Sequence, residues 1–188
     1  MPLLLGISGS LRRHSFNTAI LESLADALGD KATLRIFPLN AIPMYDQDAD
    51  TETPPETVAA FRAAIGEADG IVIASPEYNH GMPGVLKNAL DWASRPYGKA
   101  TLTGKPVFTL TSSPGAVGGA RAQAQLNETL ASIGARTVLR PQSVIGAVHE
   151  KMTDGRLGNK GTLDFLMHGV DDLLREIARP ASAVREAN

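Results

Sequence analysis

Cysteine is absent from the 188 residues, which removes disulfides, thiolate metal sites and every mechanism that starts from a sulfur nucleophile. Charge of one sign is also lacking. Eighteen Lys and Arg face 20 Asp and Glu, a formal net charge of −2, so neither a phosphate-neutralising basic surface nor an acidic tail is present, and no nucleic-acid partner is expected. Long hydrophobic runs are missing as well: no stretch approaches the ~18 residues that a bilayer span needs. The start, MPLLLGISGSLRR, carries its arginines after a short leucine run, the reverse of a signal peptide. The reading is a cytoplasmic protein with no membrane partner. No internal repeat or low-complexity tract occurs.

What is present suits a compact α/β domain. Hydrophobic residues make up 43% and charged residues 20%, and the length fits one domain. The expectation is a single domain over residues 1–180 with a flexible tail at 181–188. Leu3, Leu4, Leu5 and Ile7 form an apolar run ending in Gly-Ser, a strand buried on both faces. Ile20, Leu21, Leu24 and Leu28 then recur at helical spacing over 17–28, with Ser15 as N-cap. Residues 33–37 alternate like an edge strand, and 38–55, rich in proline and acid, read as a long surface loop. Pro54 and Pro55 open a helix with Val58, Phe61 and Ile65 as its core face. A third strand spans 70–75, and Pro83 starts a helix to about 94. A fourth strand spans 105–112. The helix 119–133 has Leu126, Leu130 and Ile133 inward and Gly134 as its stop, an alternating edge strand lies near 136–140, and a closing helix covers 162–179, ended by Pro180.

Alternating strands and helices imply a parallel sheet with helices on both faces, because parallel neighbours need right-handed crossovers. Strands one, three and four are continuously apolar and two and five alternate, which selects the order 2-1-3-4-5, a flavodoxin-like three-layer sandwich. Its direction reverses between strands one and three. Ligands of such sheets bind at that switch point, beyond the carboxyl ends of the strands.

Three loops meet there. The first, Gly9 to Asn17, sets Ser10, Ser15 and Asn17 beside Arg12 and Arg13 just before a helix. Unpaired helix N–H groups, hydroxyls and a guanidinium are what a phosphate requires, although the same residues also suit a simple capping turn. Neither GxxxxGK[ST] nor GxGxxG occurs, so Walker and dinucleotide-fold loops are excluded. The second loop, Pro76 to Pro83, is stiffened by two prolines and a glycine; Tyr78 and Asn79 suit a flat heteroaromatic ring, or else ordinary strand–helix packing. The third, Thr111 to Gly119, is small and glycine-rich, fit for close approach or for a plain connector. The four histidines lie far apart with no HExxH pairing, so no metal site is expected. Asp91 and Trp92 in KNALDW suit either a binding site or a self-association face.

Taken together, GSLRRHSFN, PEYNHGMPGVLKNALDW, TSSPGAVGGAR and, further on, GTLDFL resemble the NAD(P)H-dependent FMN reductase family, within it the bacterial quinone and chromate reductase branch. The resemblance implies FMN as cofactor and NADPH or NADH as hydride donor. It implies that Ser10, Arg12, Ser15, Phe16 and Asn17 hold the FMN phosphate, that Pro76, Glu77, Tyr78 and Asn79 line the isoalloxazine, and that Ser112 closes its other edge. Arg95 is a weaker candidate for the dinucleotide phosphates. No catalytic side chain is implied, since the cofactor carries the hydride chemistry. Ping-pong turnover is expected, with quinones, chromate, azo and nitro compounds or free flavin as acceptors. A homodimer or homotetramer is implied, with the faces of 85–93 and 120–130 as contacts. Two alternatives stand beside this reading. One is a flavodoxin-like electron carrier, for which a charge of −2 gives little steering toward a partner; the other is a non-catalytic FMN-binding module.

Overall fold

A period of two sorts the sheet residues between two cores. The computed structural model describes residues 1–179, so the tail expected at 181–188 and the stop at Pro180 lie outside the described residues. The chain runs β1 (Leu3–Ser8), α1 (Phe16–Leu28), β2 (Thr33–Phe37), α2 (Glu56–Glu67), β3 (Gly70–Ser75), α3 (Gly84–Ala93), β4 (Pro106–Ser112) and α4 (Ala120–Ile133). Four two-residue strands follow, β5 (Arg136–Thr137), β6 (Val144–Ile145), β7 (Met152–Thr153) and β8 (Arg156–Leu157), before α5 (Lys160–Ala178). The main sheet is parallel in the order β2-β1-β3-β4-β5, the flavodoxin-like winding that the apolar pattern predicts.

Leu5, Ile7, Ile71, Ile73 and Val107 face α2, α3 and α4, while Leu4, Val72, Ala74, Phe108 and Leu110 face α1 and α5. Both β3 and β4 are buried along their whole length, because helices cover both faces of a parallel sheet. Caps fix where the helices begin. Ser15 Oγ accepts the Thr18 N–H at 3.3 Å, and Asn159 Oδ1 accepts the Thr162 N–H at 2.9 Å, each satisfying an amide that the first turn leaves unpaired. Among the described residues, no helix is long and apolar enough to cross a membrane.

The fifth strand departs from the alternating run expected near 136–140. β5 pairs with Pro106 and Val107 at one end of β4, and β6 pairs with Thr111 and Ser112 at the other. Two residues between them explain the break. Pro141 has no N–H to give a ladder, and the Arg140 guanidinium turns back between the rings of Phe108 and Phe165, 5.3 and 5.1 Å from their centroids. The hairpin β7–β8 is a second feature that periodicity missed. Its turn, Asp154-Gly155, has both φ angles positive, a two-residue turn that matches the twist of the strands it joins.

The segment 38–55 is also no loose surface loop. Leu39 and Ile42 are buried, and the Pro43 carbonyl accepts from Asn88 Nδ2 and from the Trp92 indole, both at 2.8 Å. Asn88 Oδ1 in turn accepts the Tyr45 N–H at 2.7 Å. The far end is held by Asp50, whose side chain is 5% exposed and lies 2.8 Å from Arg62 and 2.9 Å from Arg95. Trp92, an open question in the sequence, is thereby a core residue, fully buried under this segment.

Burial alone would raise the Asp50 pKa; the hydrogen bonds and charges of Arg62 and Arg95 outweigh that penalty and hold the carboxyl below the ordinary aspartate value. A folded-state pKa below the unfolded one gives stability that is complete above about pH 4 and is lost as pH falls through the folded value. Asp50→Asn is expected to cost about 3 kcal/mol at neutral pH by leaving two arginines without their carboxylate. Urea unfolding of the variant should also show a shallower loss of stability below pH 4.

Two helix glycines should respond oppositely to the same change. A Cβ on Gly169 of α5 would run into the Phe108 ring and the Arg140 guanidinium, whereas one on Gly66 of α2 would meet nothing within 4 Å. Gly169→Ala is expected to destabilise by about 1–3 kcal/mol through overpacking. Gly66→Ala should stabilise by about 0.5 kcal/mol through backbone entropy. Denaturant midpoints of the two variants test both signs.

Candidate functional site

β1 ends beside β3, and the chain must cross the end of that neighbour to reach α1. The Gly9 N–H bonds to the Ala74 carbonyl at 2.8 Å, and a Cβ at Gly9 would stand 3.0 Å from Ser75 Oγ and 3.2 Å from Leu86. Small hydroxyls then fold the loop back over the helix start. Ser8 Oγ accepts from the Thr18 hydroxyl at 2.9 Å and from the Ser10 N–H at 3.4 Å, and Ser10 Oγ accepts the Arg12 N–H at 3.3 Å. Phe16 and Asn17 open α1, so their amides have no intrahelical acceptor, and none is supplied by the other described residues.

Arg12 is exposed and lies 5.4 Å from the centroid of the Phe16 ring. Among the described residues, neither Arg12 nor Arg13 has a carboxylate within 4.0 Å. The segment 8–17 contains no acidic side chain, so this corner is a set of donors and positive charge without a built-in anion. A cleft of about 390 Å³ opens beside it, lined in part by Ser10, Arg12, Arg13, Phe37 and Asn40.

The second loop is stiffer than its prolines alone predict. Tyr78 and Gly81 exchange two backbone hydrogen bonds of 2.9 and 3.0 Å, which leaves Asn79 and His80 as a two-residue tip with φ of 51° and 68°. Left-handed backbone is unfavourable for residues with a Cβ, so the tip needs outside support. That support comes from α4. Glu77 Oε2 accepts the amides of Arg121 and Ala122, both at 3.0 Å, and Gln125 Oε1 accepts the Met82 N–H at 2.7 Å. Tyr78, at the base of the tip, keeps 54% of its surface exposed.

The third loop is stapled to the chain that follows the broken fifth strand. Ser113 N–H donates to Ile145 O and Val148 N–H to Ser113 O, each at 3.1 Å, and Ala147 N–H donates to Gly115 O at 3.2 Å. A Cβ at Gly146 would overlap the Ala116 carbonyl, so the two segments lie in direct backbone contact. Ser112 is buried, and its hydroxyl donates to Asn17 Oδ1 at 3.0 Å.

Ten of the eleven expected residues therefore fall on these loops, and two of them, Asn17 and Ser112, touch each other. Arg95 does not join them. It follows the last turn of α3, about 15 Å of helix from the second loop, and its guanidinium is held by Asp50 at 2.9 Å. The Ser112 hydroxyl proton and Glu77 Oε2 are engaged within the protein. Sequence reasoning passed over Thr18 and Gln125, which brace the loops from within helices. One signal for the Glu77 contact was available: α4 begins with Gly119 and has neither a capping side chain nor an acidic residue in its first turn, so its N-terminus needed an acceptor from elsewhere.

Comparison with known proteins follows the same lines. Residues 2–150 match the NADPH-dependent FMN reductase family. A quinone reductase of Escherichia coli (strain K12) is 41% identical over 162 residues, 84% of this chain and 86% of that protein. A quinone reductase of Pseudomonas putida (strain KT2440) is 34% identical over 165 residues, 88% of this chain and 89% of that one. Among solved structures, the flavoenzyme NAD(P)H:(acceptor) oxidoreductase FerB from Paracoccus denitrificans superposes with a TM-score of 0.84 at 31% identity, covering 94% of this chain and 97% of its own.

Proposed function

The chain belongs to the NADPH-dependent FMN reductase family, and we propose that this FMN-dependent, NAD(P)H-using oxidoreductase serves as a quinone reductase. The observation that carries the reading is the donor-only corner at the start of α1. A phosphate monoester bears about −1.5 to −2 charge near neutral pH. Free amides at Phe16 and Asn17, the Ser10 and Ser15 hydroxyls and an unpaired Arg12 are complementary to it, and no carboxylate in the loop opposes it. The flavin ring would then lie against the backbone of Pro76, Glu77, Tyr78 and Asn79, with the third loop beyond. Asn17 and Ser112 act as a buried brace between α1 and β4, holding the phosphate end and the ring end at a fixed separation. Arg95 has no part in this reading, since Asp50 engages it away from the loops.

Bound FMN supplies the redox chemistry, a hydride accepted at ring N5 and two electrons passed on. The chain's own task is to hold, orient and leave room. Tyr78 and Val117, on adjacent loops, are 54% and 58% exposed, so both side chains at the rim of the proposed ring slot face solvent. A solvent-facing rim would admit acceptors of unlike shape one after another, quinones foremost, then chromate, azo and nitro compounds and free flavin. Donor and acceptor would use the same face in turn, a ping-pong scheme. Membership in an oxidoreductase family sets aside the carrier and the non-catalytic alternatives. A cytoplasmic setting follows from the need for a soluble NAD(P)H supply.

We also propose self-association as a dimer or tetramer, through the outward faces of α3 and α4 within the expected segments 85–93 and 120–130. The large apolar residues of α3 and α4, Leu86, Leu90, Trp92, Leu126 and Leu130, are buried in the protein's own core. What α3 and α4 present outward includes Lys87, Arg121 and Glu128, so a contact there would be polar, joined by the exposed Tyr78 and Val117 at the rim of the site. Light scattering at micromolar concentration should give the mass of two or four chains; a single-chain mass removes the claim.

Purified protein titrated with FMN should show a flavin spectrum that bleaches when NADPH is added without oxygen. In Arg12→Ala, loss of a charge-assisted hydrogen bond should weaken FMN binding by about 10- to 100-fold. Double-reciprocal plots against a quinone should be parallel. Intersecting lines contradict the ping-pong scheme, and failure of the wild type to take up FMN contradicts the whole assignment.

A further inference from the structure

Glu77 is the only acidic residue within 8–17, 75–83 and 111–119, the segments that form the three loops. It is not a surface acid. Its side chain is 13% exposed, Oε2 takes two α4 amides at 3.0 Å, and the Arg121 guanidinium, 3.8 Å from Oε1, is itself 57% exposed. The carboxylate thus substitutes for the N-cap that α4 lacks, from 44 residues upstream. Close packing accompanies it, since a Cβ on Gly119 would stand 3.4 Å from Glu77 Cβ. Gln125 provides a second hold on the same loop through the Met82 N–H, and a Cβ on Gly81 would come 2.9 Å from its Oε1. One helix therefore grips the loop on both sides of the strained Asn79–His80 tip.

The two grips differ in one respect: Glu77 is charged and Gln125 is neutral. A helix N-terminus carries the equivalent of about +0.5 elementary charge, so a carboxylate seated on it leaves a net of about −0.5, which the Arg121 guanidinium offsets little because it is 57% exposed and solvent screens it. Replacing that carboxylate with an amide reverses the local sign to about +0.5. A fixed negative charge beside a redox group disfavours the electron-rich, reduced state, and partial burial weakens the screening that would hide it.

We propose that Glu77 is a positioning residue with an electrostatic role: seated on α4, it fixes the ring slot and keeps a negative charge beside the flavin that lowers the cofactor's reduction potential. The proposal rests on the FMN reading above. It assigns the geometric role to Glu77 and Gln125 together and the electrostatic role to Glu77 alone.

Glu77→Gln, Glu77→Ala and Gln125→Leu separate the two roles, using FMN titration of the apoprotein and midpoint potentials from dye-equilibrated reduction. Wild-type protein must first bind FMN; if it does not, the FMN reading falls and this inference with it. Both Glu77 variants are expected to shift the potential to less negative values. Glu77→Gln keeps an acceptor for α4 and should hold FMN within about threefold of wild type, whereas Glu77→Ala should weaken it about tenfold or more. Gln125→Leu should weaken FMN binding and leave the potential unchanged. A wild-type potential in Glu77→Gln overturns the electrostatic role, as does an equal shift in Gln125→Leu, which would trace the change to a loosened loop. Unchanged FMN affinity in both Glu77→Ala and Gln125→Leu overturns the clamp. Should the Glu77 variants fail to fold, Arg121→Glu adds negative charge at the same helix end without removing the clamp; a more negative potential supports the proposal and no shift overturns it.

Discussion

The passage of Gly9 across the end of β3 is the constraint from which the rest of the site follows. At the switch point two parallel neighbours diverge, and the chain leaving β1 must cross its partner before it can start a helix on the opposite side. The crossing succeeds because Gly9 bonds to Ala74 and offers no Cβ to Ser75 or Leu86. A side chain there would push the loop outward, and the start of α1 would move with it. The free amides of Phe16 and Asn17 follow seven and eight residues after that crossing. Their place relative to the second loop is thus set by one backbone contact.

Everything else at the site is bracing between neighbours that a parallel sheet leaves unconnected. Strand ends carry no ladder beyond their last pair, so loops after β1, β3 and β4 could drift apart. Ser112 to Asn17 ties the end of β4 to the first helix, and Glu77 and Gln125 tie the second loop to α4. The break in the fifth strand belongs to the same scheme. If residues 136–145 ran on as one strand along β4, Ile145 would lie beyond its end; the detour through Arg140 and Pro141 shortens the path and delivers Ile145 opposite Ser112. From there the chain hydrogen-bonds the third loop. Irregularity at the sheet edge is what fixes the loop at its centre.

The split between what the residues disclosed and what they concealed follows interaction range. Strands β1, β3 and β4, the caps at Ser15 and Gly134 and the winding order were legible because they rest on periodicity and on single residues acting on their neighbours: Ser15 on Thr18, Gly134 after Ile133, Val58 with Phe61 and Ile65. The donor loop was legible for the same reason. Partners distant in the chain were not. Nothing near Asp50 announces Arg62 and Arg95, and nothing near Pro43 announces Asn88 and Trp92, so 38–55 read as loop when it is a buttress. Arg95 was misplaced by the same blindness, its charge visible and its partner hidden. Asp154-Gly155 is a different case, since the turn signal is local but the two-residue strands on either side are too short to carry a period.

Charge is distributed along the site with a direction. At the start of α1 a helix N-terminus is left without an acid, and it faces outward with Arg12 beside it; at the start of α4 an equivalent N-terminus is closed by Glu77. The fold thus builds two helix ends of the same polarity on opposite faces of the sheet and treats them oppositely. An end capped only by the neutral Ser15 hydroxyl retains its attraction for an anion, whereas a carboxylate on the other reverses the sign there. Under the proposed FMN reading, a ligand with a phosphate at one end and a neutral ring at the other would be oriented before any shape is compared, because the reverse placement would bring phosphate against Glu77. Orientation by two helix termini needs no side chain in the reaction itself, which fits a protein whose redox chemistry resides in its cofactor.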